Sequence, residues 1–225
     1  MNIESMLGSM DPSQIEKKVV KLNTWKRFPV IILVDTSDSM SNYEELLKHF
    51  VERLYDAVLK DRAASLATEL AVLRFNSDIE ILEKLREVKL QEARGRNLDF
   101  HCTGETLIGL ALKTAIMLLE ARKKIYKESI PRVKYYSPVI FLVSDGKPEC
   151  SNSIIQTQEN DAMNFSKEYI FKEVAEGRLV VFSVEVGEKC DHDLMRELTG
   201  LKDDKNVIKV NNVLKVINPR CILFS

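Results

Sequence analysis

The first sustained pattern along the chain is an unbroken apolar run, Val30 to Val34, rich in β-branched residues and closed by Asp35. A run without polar alternation predicts a strand over residues 28–35 buried on both faces, as in the middle of a parallel sheet. The period then changes. From Asn42 to about Lys60, Leu46, Phe50, Leu54 and Val58 recur every fourth residue, with Leu47 and Val51 widening the stripe. This predicts an amphipathic helix covering one face of the sheet. Ser41 or Asn42 is placed to cap it, and Glu44 and Glu45 suit the positive end of its dipole. Residues Glu69–Phe75 and Ile79–Leu82 read as two short strands around the turn Asn76-Ser77-Asp78, an antiparallel hairpin. A charged, poorly periodic connection follows over 84–100.

A second helix is predicted from near Thr106, with Leu107, Leu110, Ala111, Thr114 and Leu118 on one face. It ends at Arg122-Lys123-Lys124, a solvated run of cations that suits a helix C-terminus. After a linker from Pro131 to Pro138, Val139–Val143 is another run apolar on both faces, and it ends in Ser144-Asp145-Gly146. Residues 158–176 read as a helix with Phe165, Tyr169 and Val174 as core candidates and Gly177 as its stop. Leu179–Val186 is a third long strand, followed by a short helix near 191–199 and a last strand, Asn206–Val210. Strands alternating with helices imply an α/β fold: a mostly parallel sheet, helices on both faces, and the hairpin as an antiparallel edge. Ahead of this, Ile15, Val19 and Leu22 fall at helical spacing, so residues 1–26 read as a short helical extension and 27–225 as the domain. The tail from Leu214 is apolar enough to dock, although Pro219 interrupts any helix there.

Composition narrows the class. With 225 residues, 45% hydrophobic and 30% charged, the chain suits one sizeable core in an ordinary globular protein. A formal net charge of −1 gives no case for nucleic acid or an anionic membrane as partner. No apolar stretch approaches the roughly 20 residues of a membrane-spanning helix. The N-terminus lacks a basic segment followed by an apolar one, so a secretory signal is not expected. Cys102, Cys150, Cys190 and Cys221 are few and widely spaced, which suits reduced thiols. The expectation is a cytoplasmic domain.

Ligands in open α/β sheets sit beyond the carboxyl ends of the strands, at the topological switch point. Three features should meet there: the strand tip with Asp35, Ser37 and Ser39; the loop Cys102-Thr103-Gly104-Glu105-Thr106; and Asp145. Two carboxylates and three hydroxyls are hard oxygen donors and suit Mg²⁺. Asp35-x-Ser37-x-Ser39 with Thr106 and Asp145 resembles the metal-ion-dependent adhesion site (MIDAS) of von Willebrand factor A domains. The frames Gly104-Glu-Thr106-Leu-Ile-Gly109 and Leu142-Val-Ser-Asp145-Gly146 match as well, and the resemblance covers about residues 27–210.

That resemblance implies a three-layer Rossmann-like fold. It also implies that Ser37 and Ser39 bind the metal through neutral hydroxyls, that Thr106 joins directly or with the bound state, and that Asp35 and Asp145 act largely through waters. The ion's charge would then be incompletely cancelled, and its vacant position would favour an Asp or Glu carboxylate from a partner protein. The implied function is metal-mediated protein recognition without catalysis, with Mg²⁺ the expected ion and Mn²⁺ or Ca²⁺ able to replace it. Phe28-Pro29-Val30 and Pro138-Val-Ile-Phe-Leu-Val-Ser-Asp-Gly-Lys-Pro148 are further similar to bacterial tellurium-resistance-type A-domain proteins, which implies an adaptor or scaffold in a stress response. Asp38 departs from that pattern, standing where Gly is frequent. Asp tolerates a left-handed backbone, and its added carboxylate bears on metal affinity and on an acidic partner.

Other chemistries find less support. A metal-assisted phosphohydrolase also uses a strand-tip Asp, but the haloacid-dehalogenase-like pattern wants a carboxylate two residues on, where Ser37 stands. Gly-x-Ser-x-Gly, Gly-x-Gly-x-x-Gly and Gly-x-x-x-x-Gly-Lys frames are missing. His101, Cys102, Cys150, Cys190 and His192 are able to gather at the same edge as a soft-metal site, but their spacing matches no zinc knuckle. His49 reads as a helix-surface residue. A metal-independent scaffold is the remaining binding alternative.

Overall fold

A computed structural model describes residues 26–91 and 96–210; the predicted N-terminal helix and the tail beyond Val210 lie outside the described residues. Among the described residues six strands form one sheet, in the order β3-β2-β1-β4-β5-β6. They are β1 (Phe28–Asp35), β2 (Thr68–Phe75), β3 (Ile79–Glu87), β4 (Val139–Ser144), β5 (Val180–Glu185) and β6 (Val207–Lys209). Neighbours run parallel except β2 and β3, the antiparallel edge hairpin. The helices are α1 (Glu44–Lys60), α2 (Arg62–Ala67), α3 (Ile108–Glu128), α4 (Ser153–Ala175) and α5 (His192–Glu197). Among the described residues no helix is long and apolar enough to cross a membrane.

The apolar β1 run works as read: alternate residues feed two cores. Phe28, Val30, Ile32 and Val34 pack with Leu47, Phe50, Val51 and Leu54 of α1. Ile31 and Leu33 pack with Ile108, Ala111 and Ala115 of α3. A strand buried between two helical layers has no solvated face, which is why polar residues first occur at its tip. Parallel β2 and β4 flank β1, so the strand order reverses between β1 and β4 and opens a crevice at their carboxyl ends.

Several expectations are corrected. Strand β3 runs past Leu82 to Glu87; a register irregularity between Leu70 and Leu73 breaks the alternation that marks a strand in sequence. Neither Ser41 nor Asn42 caps α1. They lie within a 3-10 helix, Asp38–Tyr43, and the N-cap position falls on Tyr43 without a side-chain cap.

Of the cations at 122–124 only Lys124 is solvated, and the helix does not end there. Helix α3 continues to Glu128, and Arg122 is 1% exposed, its Nε 2.6 Å from Glu69 Oε2. The Tyr126 hydroxyl donates to the same oxygen, while Arg27 lies 3.6 Å from Glu69 Oε1 and 2.6 Å from Glu87 Oε1. Lys123 is buried too, 2.8 Å from Glu120. The partner of Arg122 lies on another element, 53 residues away, where no local charge pattern reveals it.

Phe165 is 43% exposed and outside the core. Helix α4, capped by Asn152 at Ile154 N and Ile155 N, turns Glu159, Ala162, Ser166 and Ile170 inward. It approaches α3 so closely at Gly109 that an added Cβ would lie 2.6 Å from Met163 N. Small residues fill that contact, and the phenyl ring turns outward.

Candidate metal centre

Asp35 ends β1 fully buried, and both of its carboxylate oxygens are occupied. Oδ1 accepts from Ser37 N at 3.0 Å and Oδ2 from Ser144 Oγ at 2.6 Å. The first bond folds the chain back after the strand and presents Ser37. The hydroxyls of Ser37 and Ser39 then lie 3.2 Å apart, Ser37 buried and Ser39 exposed. Burial pushes the Asp35 carboxyl up from its ordinary 3.8 to about 6, against the lowering effect of the Ser144 and Ser37 hydrogen bonds; the nearby Asp145 adds a smaller upward push.

The second segment is pinned residue by residue. Thr103 N donates to Thr36 O at 2.8 Å, Gly104 N to Asp38 Oδ1 at 2.9 Å, and Glu105 N to Ser77 Oγ at 3.0 Å. Thr106 is buried, and its backbone exchanges two hydrogen bonds with Glu149, at 2.9 and 3.2 Å. Gly104 adopts φ +81°, a conformation that favours glycine, with Ser77 Oγ only 2.6 Å from where a Cβ would stand. Asp38 helps to hold this loop. It lacks positive φ, and its carboxylate braces the Thr106 loop.

Asp145 follows β4 and is 5% exposed. Its Oδ1 accepts from Lys147 N and its Oδ2 from Lys147 Nζ, each at 3.2 Å. Gly146 N donates to Ser144 Oγ at 2.9 Å, so that hydroxyl links the Asp35 carboxylate to the turn carrying Asp145. A cavity of about 870 Å³ opens beside the site, its wall including Ser39, Tyr43, Asp145, Lys147, Lys189 and Lys209.

The predicted residues thus come from three segments that the fold ties to one sheet edge. Ser144, Ser77 and Lys147 were missed. Ser144 had a signal: Val34 pairs with Val143, so the two apolar runs end with Asp35 and Ser144 side by side. Ser77 had none, because its role depends on a hairpin turn reaching a distant loop.

The donor set fits a hard divalent cation. Adjacent oxygens of an octahedral shell with bonds of about 2.1 Å are about 3.0 Å apart. The Ser37 and Ser39 hydroxyls, 3.2 Å apart, come near that spacing, with two buried carboxylates in the same site. The soft-metal grouping does not form: among the described residues no three His, Cys, Asp or Glu side chains converge on a possible ion. Burial and nearby carboxylates push the Cys102 and Cys190 thiols up to about 12, and His192 is engaged by Glu185 at 2.6 Å and Asp204 at 3.3 Å. His49 is exposed on α1.

The von Willebrand factor type A domain family model matches residues 30–218, and the chain belongs to that family. A search of the curated proteins finds no match. Among solved structures, the manganese-loaded TRAP protein of Plasmodium vivax is similar at TM-score 0.61 and 17% identity, over 86% of this chain and 73% of that one. Proximal thread matrix protein 1 of the mussel byssus is similar at TM-score 0.58 and 16% identity, over 86% of this chain and 48% of that one. It has also been solved with a zinc-occupied MIDAS motif. An aerotolerance-related membrane protein from Bacteroides fragilis NCTC 9343 follows at TM-score 0.53 and 14% identity, over 85% of this chain and 97% of that one. The chain spans about half the length of the mussel protein. At these identities the likenesses carry the fold alone.

Proposed function

We propose that this domain recognises partner proteins through a divalent cation held by Ser37, Ser39 and Thr106, with Asp35 and Asp145 behind them, and that it catalyses no reaction. The observation that carries this reading is the pair of serine hydroxyls 3.2 Å apart in the same site as two buried carboxylates. Mg²⁺, or Mn²⁺ or Ca²⁺ in its place, would supply a Lewis-acidic point for an Asp or Glu carboxylate of the partner. Asp35, with both oxygens occupied by Ser37 N and Ser144 Oγ, orients the serine loop rather than spending its charge on direct ligation. Neutral hydroxyls in contact with the ion leave charge available to the partner.

The cavity beside the site supports an acidic partner. Lys189 and Lys209 line it and, like Glu188 on the same wall, form no ion pair among the described residues. Glu185 is engaged by His192 and Asp145 by Lys147, which leaves one net positive charge unpaired there. Asp38, one carboxylate oxygen of which accepts from Gly104 N, braces the loop. An adaptor role of the tellurium-resistance or stress type rests on the Phe28-Pro29-Val30 and Pro138–Pro148 segments. A cytoplasmic setting is supported by Cys102, Cys150 and Cys190, which are free thiols. Residues 1–26 are taken as an extension to a domain of 27–225.

The test is capture from native lysate by the immobilised full chain, in Mg²⁺ and then in chelator. The reading expects a partner retained only with Mg²⁺ and lost with Ser37→Ala plus Ser39→Ala. Identical capture in all conditions contradicts it.

A further inference from the structure

We propose that Lys147 is a resident cation of the site: its ammonium neutralises Asp145 in the metal-free protein and must be displaced when a divalent ion enters. The inference rests on the metal-binding reading of Asp35, Ser37, Ser39, Thr106 and Asp145.

The site contains two buried carboxylates, Asp35 and Asp145, that repel one another. Burying like charges without a counter-charge is costly. Among the described residues Asp35 is served by neutral donors, Ser37 N and Ser144 Oγ. The one cationic group at hydrogen-bond distance from either carboxylate, among the described residues, is Lys147 Nζ, 3.2 Å from Asp145 Oδ2.

The local chain geometry builds this contact. Gly146 takes φ +71° against Met195, and the turn brings Lys147 N onto Asp145 Oδ1 as its ammonium reaches Oδ2. The two partners differ in exposure: the Lys147 side chain is 49% exposed and that of Asp145 only 7%. A hydrated ammonium on a flexible four-carbon stem leaves readily, whereas the carboxylate stays. Lys147 also lines the same cavity as Ser39 and Asp145, so its release carries the ammonium towards the path of an incoming partner. A divalent ion and the ammonium repel one another and draw on the same counter-charge, the Asp145 carboxylate. The two cations therefore compete, and Lys147 raises the metal concentration at which the site fills.

The test is calorimetric titration of the full chain with Mg²⁺ and Mn²⁺, comparing wild type with Lys147→Gln, Lys147→Arg, Lys189→Gln and Lys209→Gln. The last two remove the same charge from the cavity wall without releasing Asp145. Lys147→Gln is expected to bind metal about two- to fivefold tighter, as removal of a part-exposed competing ion pair implies. Lys147→Arg should be no tighter than wild type, and each control should change by less than about twofold. Melting supplies a second readout: metal-free Lys147→Gln should melt below wild type and gain more from added metal. If Lys147→Gln binds no tighter than wild type, or no tighter than the controls, the resident-cation inference is overturned while the metal site stands. If neither wild type nor Lys147→Gln binds metal, the metal-site reading itself falls, and this inference with it.

Discussion

Ser144 Oγ donates to Asp35 Oδ2 at 2.6 Å and accepts from Gly146 N at 2.9 Å, so one hydroxyl joins the tip of β1 to the turn that carries Asp145. The bond spans 109 residues of sequence but only the gap between two neighbouring parallel strands. It sets the rotamer of the carboxylate that presents Ser37. Ser144→Ala should therefore weaken divalent-metal binding about ten- to a hundredfold, the range seen when groups behind metal ligands are lost. It should also cost about 1–3 kcal/mol in urea denaturation, because a buried carboxylate oxygen loses its donor. Calorimetry and urea melts on one preparation check both.

Asp35 carries a cost in the metal-free protein. Its carboxyl titrates near 6 in the folded chain against an ordinary 3.8, so the folded state binds the proton more readily than the unfolded one. Stability from this group is thus greatest below about pH 4 and drains away as pH rises to about 6. At 1.36 kcal/mol per pKa unit the full rise corresponds to roughly 3 kcal/mol. Asp35→Asn should be more stable than wild type by about 1–3 kcal/mol at pH 7.5 without metal, with the difference vanishing near pH 4. Added Mg²⁺ should stabilise wild type and leave the variant unchanged. Denaturation across this pH range, with and without metal, checks the sign.

At the opposite end of the sheet, Glu69 gathers Arg122, Tyr126 and Arg27 in a buried ionic cluster. Removing Glu69 takes a buried carboxylate away from Arg122 and Tyr126, while Arg27 keeps Glu87. Glu69→Ala should cost about 3–5 kcal/mol in urea denaturation. The metal affinity of the folded fraction should not change, since β2 residue Glu69 pairs with Pro29 at the amino end of β1, away from Asp35.

Gly104 is a further point of strain. An alanine there must adopt φ +81° and place its Cβ 2.6 Å from Ser77 Oγ, the group that holds Glu105 N. Gly104→Ala should destabilise by about 1–3 kcal/mol and reduce metal affinity by moving Thr106. Chemical denaturation and metal titration separate the two effects.

Much of this was legible along the chain because β1 and β4 are buried on both faces. Continuous apolar runs mark such strands, and the first polar residues after them fall at the sheet edge where ligands bind. Asp35, Ser37, Ser39 and Asp145 stand just after such runs, and Thr106 is marked by its loop and helix frame. Features set by distant partners were not legible. Arg122 looked solvated because its charge is met by Glu69 on β2, and Phe165 looked buried because its helix pattern does not show how tightly Gly109 draws α4 onto α3. The role of Asp38 likewise depends on Gly104, 66 residues away.

On the proposed reading Ser37 and Ser39 hold a divalent ion. Titration of the full chain with Mg²⁺ and with Mn²⁺, beside Ser37→Ala plus Ser39→Ala, tests it most directly. One ion per wild-type chain and no measurable binding to the double variant are expected, with both proteins folded. Equal binding to the two, or none to wild type, contradicts it.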